Sequence, residues 1–246
     1  SVEDGQTVTL TLSGNDYTGS VSTNSTSITV SAANLQALTD GTTYDMSANV
    51  SNAGGTAATE FTTSAGNGQF IVDKTGLTVI DISAVGIANG TYKIGDVIPI
   101  HVKFSEDANI LAGTPKLNMQ VGPHVISNYW VDYTSGDGTD TFVFNYTVQS
   151  GHTSTVDSTG YLNYKSAATS LNINNSSVNV RDDAGNGTTP TLPTPGTSNS
   201  LTRTGMAIVI DGVIPTISSI SIIDDGTTPH NDSVTVTFSE NVYPDA

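Results

Sequence analysis

Cysteine is absent from all 246 residues, which removes disulfides, thiolate metal sites and cysteine nucleophiles at once. Positive charge is scarce as well: 7 Lys and Arg stand against 23 Asp and Glu, for a formal net charge of −16. Phosphate backbones and anionic headgroups are gripped by clustered Lys and Arg, so this balance argues against nucleic acid or a lipid surface as partner and favours divalent cations. No run reaches the roughly 20 apolar residues of a membrane helix, and no basic stretch leads into an apolar one as in a signal peptide. The chain opens at Ser1 and stops inside a pattern at Ala246, as expected of a window cut from a longer protein. Helical periodicity is missing too, except over Ala32 to Leu38, where Ser31 is placed to cap a short turn.

What is present is alternation. Val8, Leu10 and Leu12, then Ile28 and Val30, then Met46, Ala48 and Val50, repeat with the period of two of a half-buried strand. Glu3-Asp4-Gly5, Asp40-Gly41 and Asn52-Ala53-Gly54-Gly55 supply the turns between such runs. Further strands are expected over Leu77 to Ser83, Val97 to Phe104, Lys116 to Val121, Val125 to Tyr133, Thr141 to Val148, Leu171 to Ile173, Ser177 to Val180 and Met206 to Ile210. The fold class is therefore all-β, with antiparallel sandwiches in series. Pro190, Pro193 and Pro195 mark a loop or edge excursion, because proline cannot donate to a central ladder.

One motif occurs twice. Phe70-Ile71-Val72-Asp73 returns as Ile208-Val209-Ile210-Asp211, and each copy is followed by Phe-Ser-Glu, at Phe104-Ser105-Glu106 and Phe238-Ser239-Glu240. The aspartate-to-glutamate intervals are 106 − 73 = 33 and 240 − 211 = 29 residues. Read as a domain junction used twice, the motif divides the chain into residues 1–72, a sandwich lacking its first strand; residues 73–211, a larger sandwich of 211 − 73 = 138 residues; and residues 212–246, the first two strands of a further repeat.

In a sandwich the first strand leaves the linker and the second returns to it, placing Glu106 at its strand's top near Asp73. The loop before the last strand, Arg181-Asp182-Asp183-Ala184-Gly185-Asn186, belongs to the same end. Asp73, Glu106, Asp182, Asp183 and Asn186 then form a set of hard oxygen ligands without His or Cys, which suits Ca²⁺. Asp211 and Glu240 form the corresponding pair at the second junction. Ordinary solvated turn residues have the same composition, since Asp, Asn and Gly favour turns for backbone reasons.

Several motifs resemble the immunoglobulin-like repeats of very large bacterial surface adhesins. They are Asn89-Gly90-Thr91-Tyr92-Lys93-Ile94-Gly95-Asp96, Gly113-Thr114-Pro115, Ser135-Gly136-Asp137-Gly138-Thr139, Phe144-Asn145-Tyr146-Thr147-Val148 and Asp182-Asp183-Ala184-Gly185-Asn186, together with both junctions. Glu3-Asp4-Gly5-Gln6-Thr7-Val8 and Ala32 to Leu38 resemble a shorter repeat class of the same proteins. The resemblance implies tandem immunoglobulin-like sandwiches in a secreted, cell-surface chain, stiffened by calcium between domains and extending or presenting a binding domain elsewhere. One departure is Asp73-Lys74-Thr75-Gly76-Leu77, where the usual linker proline is lost and Lys74 offers a cation in partial place of calcium; Pro215 keeps the proline at the second junction.

Enzymatic readings find little. His101, His124, His152 and His230 are scattered without metal-ligand spacing, and no Gly-x-Ser-x-Gly elbow occurs. The expectation is a non-enzyme whose partners are neighbouring repeats of its own chain. The alternative is a subunit of an extracellular filament or surface layer, assembled by strand exchange between like subunits. Trp130, flanked by Tyr129 and Tyr133, is expected in the core, with a sugar-stacking platform as the other reading.

Overall fold

The computed structural model describes every residue except 1, 2, 24, 53, 65, 66, 123–128, 155–159, 188, 189, 224, 225, 227–232 and 243–246. Packing divides it into two units, residues 1–76 with 184–186, and residues 77–183 with 187–246. Among the described residues no helix is long and apolar enough to cross a membrane.

The first unit begins with β1 (Thr7–Leu12) and β2 (Asn15–Ser20), joined through Ser13 and Gly14 at φ of 51° and 74°. Positive φ at both turn residues matches the twist of the paired strands. There follow α1 (Ala32–Gln36), β3 (Thr43–Tyr44), β4 (Met46–Val50), β5 (Phe61–Thr62) and β6 (Phe70–Ile71). The sheet order is β2-β1-β4-β5, and β3 pairs with β6. Ser31 caps α1 as expected, its Oγ accepting from the Asn34 N–H at 3.3 Å. At the other end Lys74 donates from Nζ to the carbonyls of Gln36, at 2.7 Å, and Leu38, neutralising the negative end of the helix dipole. Leu12, Val21 and Leu38 are the buried apolar side chains of this unit among the described residues.

The second unit runs β7 (Val79–Ser83), β8 (Gly90–Lys93), β9 (Val97–Ala112), β10 (Lys116–Gln120), β11 (Tyr129–Ser135), β12 (Thr139–Thr147), β13 (Asn163–Tyr164), β14 (Leu171–Asn172), β15 (Asn179–Arg181), β16 (Ile208–Asp211), β17 (Ile217–Ile223) and β18 (Ser233–Phe238). Its main sheet has the order β13-β10-β11-β12-β9-β15, with β14 added on β10 and β7 on β9. Separately, β16 pairs with β8 in parallel, and β17 with β18 as an antiparallel ribbon.

Alternation builds the core. Ile98, Ile100, Val102 and Phe104 of β9 are fully buried, and the register sets the first three against Tyr146, Phe144 and Phe142 of β12, also fully buried. Phe142 meets Phe104 and Tyr133 edge-on, both with centroids 5.0 Å apart. Each such side chain contributes about 1.5–3 kcal/mol by leaving water. The all-β expectation holds, although in the first unit Ile28 and Val30 lie outside any strand, and the second unit shows three departures. Strand β9 continues 112 − 104 = 8 residues past Phe104. Strands β8 and β13 were not foreseen, because Gly90-Thr91-Tyr92-Lys93 and Asn163-Tyr164 are too short or too polar to alternate. Trp130 is not in the core: β11 turns Val131 inward and leaves the indole 39% exposed.

Candidate metal centre

Both linker aspartates make the same local structure. Asp73 Oδ1 accepts from the Thr75 N–H at 2.9 Å, and Asp211 Oδ1 from the Val213 N–H at 3.3 Å, the Asx turn in which a carboxylate bonds the backbone two residues on. The following strands repeat as well. The residue six past each aspartate (79 − 73 = 6; 217 − 211 = 6) pairs with the phenylalanine of Phe-Ser-Glu, Val79 with Phe104 and Ile217 with Phe238. The residue five past it donates its N–H to the serine hydroxyl, Thr78 to Ser105 at 3.1 Å and Thr216 to Ser239 at 2.9 Å. Each serine N–H returns a bond to that residue's carbonyl, at 2.9 and 2.8 Å. The serine thus pins the register, and the glutamate follows it. Neither serine stood out in the sequence as functional; its recurrence between Phe and Glu was the available signal.

Glu106 does not end its strand, contrary to expectation. It lies in the middle of β9, where the register against β12 breaks between Lys103 (opposite Thr141) and Ala108 (opposite Thr139), and β15 takes over as partner from Asn109. An irregularity of this kind bends a strand and re-aims its side chains. Asp182 follows the last residue of β15 and is 3% exposed. Carboxylate oxygens of Glu106 and Asp182 lie within 4.8 Å of each other. Two carboxylates so close, one of them buried, repel and lose hydration, which a hard cation reverses.

Asp183 and Asn186 make other bonds. Asp183 is exposed and accepts from Asn109 Nδ2 at 2.7 Å. Asn186 Nδ2 donates to the carbonyls of Asp73, at 3.1 Å, and Thr75, at 3.4 Å, holding the linker backbone. Lys74 does not take a cation's place among carboxylates: its ammonium lies on the α1 carbonyls, while its N–H donates to Asp40 Oδ1 at 2.7 Å. Thr75 Oγ1 donates to the other Asp40 oxygen at 2.7 Å, and these bonds hold the Asp40 carboxyl below its usual range.

At the second copy, Asp211 and Glu240 line one cleft of about 360 Å³ with Thr91, Thr153 and Val213. Glu240 Oε1 is buried there without a hydrogen-bond partner among the described residues. An oxygen left in that state suits a cation, so the residues fit a hard metal ion. Asp224, Asp225, His124 and His230 lie outside the described residues.

The described histidines do not gather. His101 is half-buried on β9. His152 is 2% exposed, and its Nδ1 meets the Tyr146 hydroxyl at 2.9 Å and the Gln149 N–H at 3.3 Å. Burial pushes the pKa of His152 down and that of Tyr146 up.

No family model and no curated protein matches the chain. Among solved structures, a Ca²⁺-stabilized adhesin that helps an Antarctic bacterium reach out and bind ice is similar at 14% identity with a TM-score of 0.32. The likeness covers 91% of this chain and 44% of that one, so the chain spans less than half of its neighbour's length.

Proposed function

We propose that the chain is a non-enzymatic structural segment of a bacterial cell-surface adhesin, made of tandem immunoglobulin-like sandwiches with calcium at the joints. The observation that carries this reading is the joint built twice: an Asx-turn aspartate, a serine that pins the next pair of strands, and a glutamate following that serine. At the first joint Asp73, Glu106 and Asp182 hold the ion. Glu106 and Asp182 supply the paired carboxylates. Asp73 has its backbone carbonyl held by Asn186. At the second joint Asp211 and Glu240 are the protein ligands. An all-oxygen set without His or Cys selects calcium over zinc, and carbonyls or water complete its six to eight positions.

Bound calcium neutralises the clustered carboxylates and fixes the linker angle, which stiffens a stalk outside the cell. Thermal melting in calcium and in EDTA tests this. Metal at a hundredfold excess over Kd stabilises the ordered joint by about 2.7 kcal/mol. The Glu106→Gln, Glu240→Gln double variant should lose that gain. Equal melting temperatures for the natural sequence in calcium and in EDTA would falsify the reading.

One observation favours the alternative of a filament or surface-layer subunit. The β17–β18 ribbon exposes Ile220, Ile222, Val234, Val236 and Phe238, and their register puts them on one face, with Ser219, Ser221, Thr235 and Thr237 on the other. Two strands alone bury no core, and in this alternative a neighbouring chain covers that face. Sedimentation over a wide concentration range decides it: a monodisperse monomer throughout rules out the filament.

A further inference from the structure

The first unit carries a cleft of about 480 Å³ between the β1–β2 hairpin and the end of α1, and we infer that it binds a neutral glycan. Its size falls within the range of small-molecule sites, roughly 300–1,000 Å³. Asn15, Asp16, Tyr17, Asn34, Thr39 and Tyr44 line it, and this combination narrows the ligand class.

The two tyrosines offer aromatic rings, and one of them is fixed in place. Tyr44 stacks on Phe70, with centroids 5.9 Å apart and planes inclined by 27°, and its hydroxyl accepts from the Thr39 N–H at 2.8 Å. A ring held at both its face and its tip loses little freedom when a ligand settles beside it. The amides of Asn34 and of Asn15, which also donates to the Ser13 carbonyl at 3.3 Å, and the Asp16 carboxylate provide both donors and acceptors, as a polyhydroxylated ring requires. Asp16 is already oriented, since Thr11 Oγ1 donates to its Oδ1 at 2.6 Å.

The same lining excludes other ligands. Among the described residues no Lys or Arg faces the cleft, and Lys74 has its ammonium on the Gln36 and Leu38 carbonyls. With Asp16 in the wall and a net charge of −16, phosphate, sulfate and sialic acid are repelled. One carboxylate is too few for a calcium site. Apolar ligands would leave these side-chain polar groups stripped of water and unpaired. A sugar with faces of C–H groups and a rim of hydroxyls satisfies both kinds of wall.

Saturation-transfer NMR on the whole chain tests this, with neutral oligosaccharides of glucose, galactose, mannose and N-acetylglucosamine, and with lactose against sialyllactose. At least one neutral sugar should bind in the millimolar range or tighter. Tyr17→Ala and Asp16→Ala should each weaken it by about tenfold or more, the usual effect of losing a ring contact or a charge-assisted hydrogen bond. Trp130→Ala should leave it unchanged. Asp16 is exposed, so its variant keeps the fold, and an unaltered melting curve verifies that. The inference fails if no neutral sugar binds, if binding survives both cleft variants, if Trp130→Ala abolishes it, or if sialyllactose binds more tightly than lactose.

Discussion

Replacing His152 with phenylalanine should strand two donors at once. The Gln149 N–H points at Nδ1 from 3.3 Å, and a backbone donor cannot reverse, so Nδ1 is an acceptor and the ring is neutral with its proton on Nε2. The Tyr146 hydroxyl, fully buried, then donates to the same nitrogen at 2.9 Å. His152→Phe leaves both groups unpaired, at about 1–3 kcal/mol each, or about 2–6 kcal/mol in all. Tyr146→Phe leaves Gln149 bonded and costs about 1 kcal/mol. The double variant leaves only the Gln149 N–H unpaired and should therefore cost less than the sum of the two, with a coupling energy of about 2–4 kcal/mol. The pH dependence follows from the same geometry. Burial holds the folded-state pKa of His152 below its ordinary 6.5, so as pH falls through that value the unfolded chain takes up the proton first. Its contribution is complete above about 6.5 and declines below it; His152→Phe removes this part of the acid slope. Urea denaturation followed by Trp130, the single tryptophan, reports on the unit that holds the pair. Additive costs, together with an acid limb unchanged in His152→Phe, would refute the assignment.

Other outcomes can be stated more briefly. Gly136→Ala should destabilise the second unit by about 2–4 kcal/mol, because φ is +111° there and a Cβ would stand 1.9 Å from the Thr141 carbonyl oxygen; urea melting measures it. Tyr164 donates its hydroxyl to the Pro193 carbonyl, and burial raises its pKa from 10.0 to about 12. Its contribution is thus complete below pH 10 and lost as pH rises towards 12, and Tyr164→Phe should flatten that alkaline limb. Lys74→Met should weaken α1 by about 0.3–1 kcal/mol, a loss that shrinks as salt is added, read by circular dichroism and amide exchange at Gln36 and Leu38.

The fold class was legible because buried strands alternate: Ile98, Ile100, Val102 and Phe104 announce their inner face directly. The helix at Ala32 was legible for a similar local reason, with Ser31 ready to cap it. Trp130 was misplaced because alternation gives two faces without saying which is inner; Val131 settles that only once the neighbouring strands are seen. The linker motif was visible as a repeat, yet its physical content was not. That Ser105 and Ser239 lock their strand pairs rests on bonds to Thr78 and Thr216, which no spacing rule names. Glu106 was assigned a strand end because Phe-Ser-Glu closes an alternating run, whereas the chain crosses that point through a register break and continues on a different partner. Lys74 shows the same limit. A cation beside an aspartate invites pairing, but the carbonyl end of α1 is a competitor that sequence distance conceals.

The parallel pairing of β16 with β8 has a mechanical consequence. Ile208 to Asp211 lie in register with Gly90 to Lys93, one strand near the beginning of the second unit and the other leading into its β17–β18 ribbon. Tension drawing the two flanks of the unit apart along these strands would load the ladder bonds side by side, in shear, instead of peeling them one after another. The strand pair would then resist as a clasp does, yielding only when several bonds fail together.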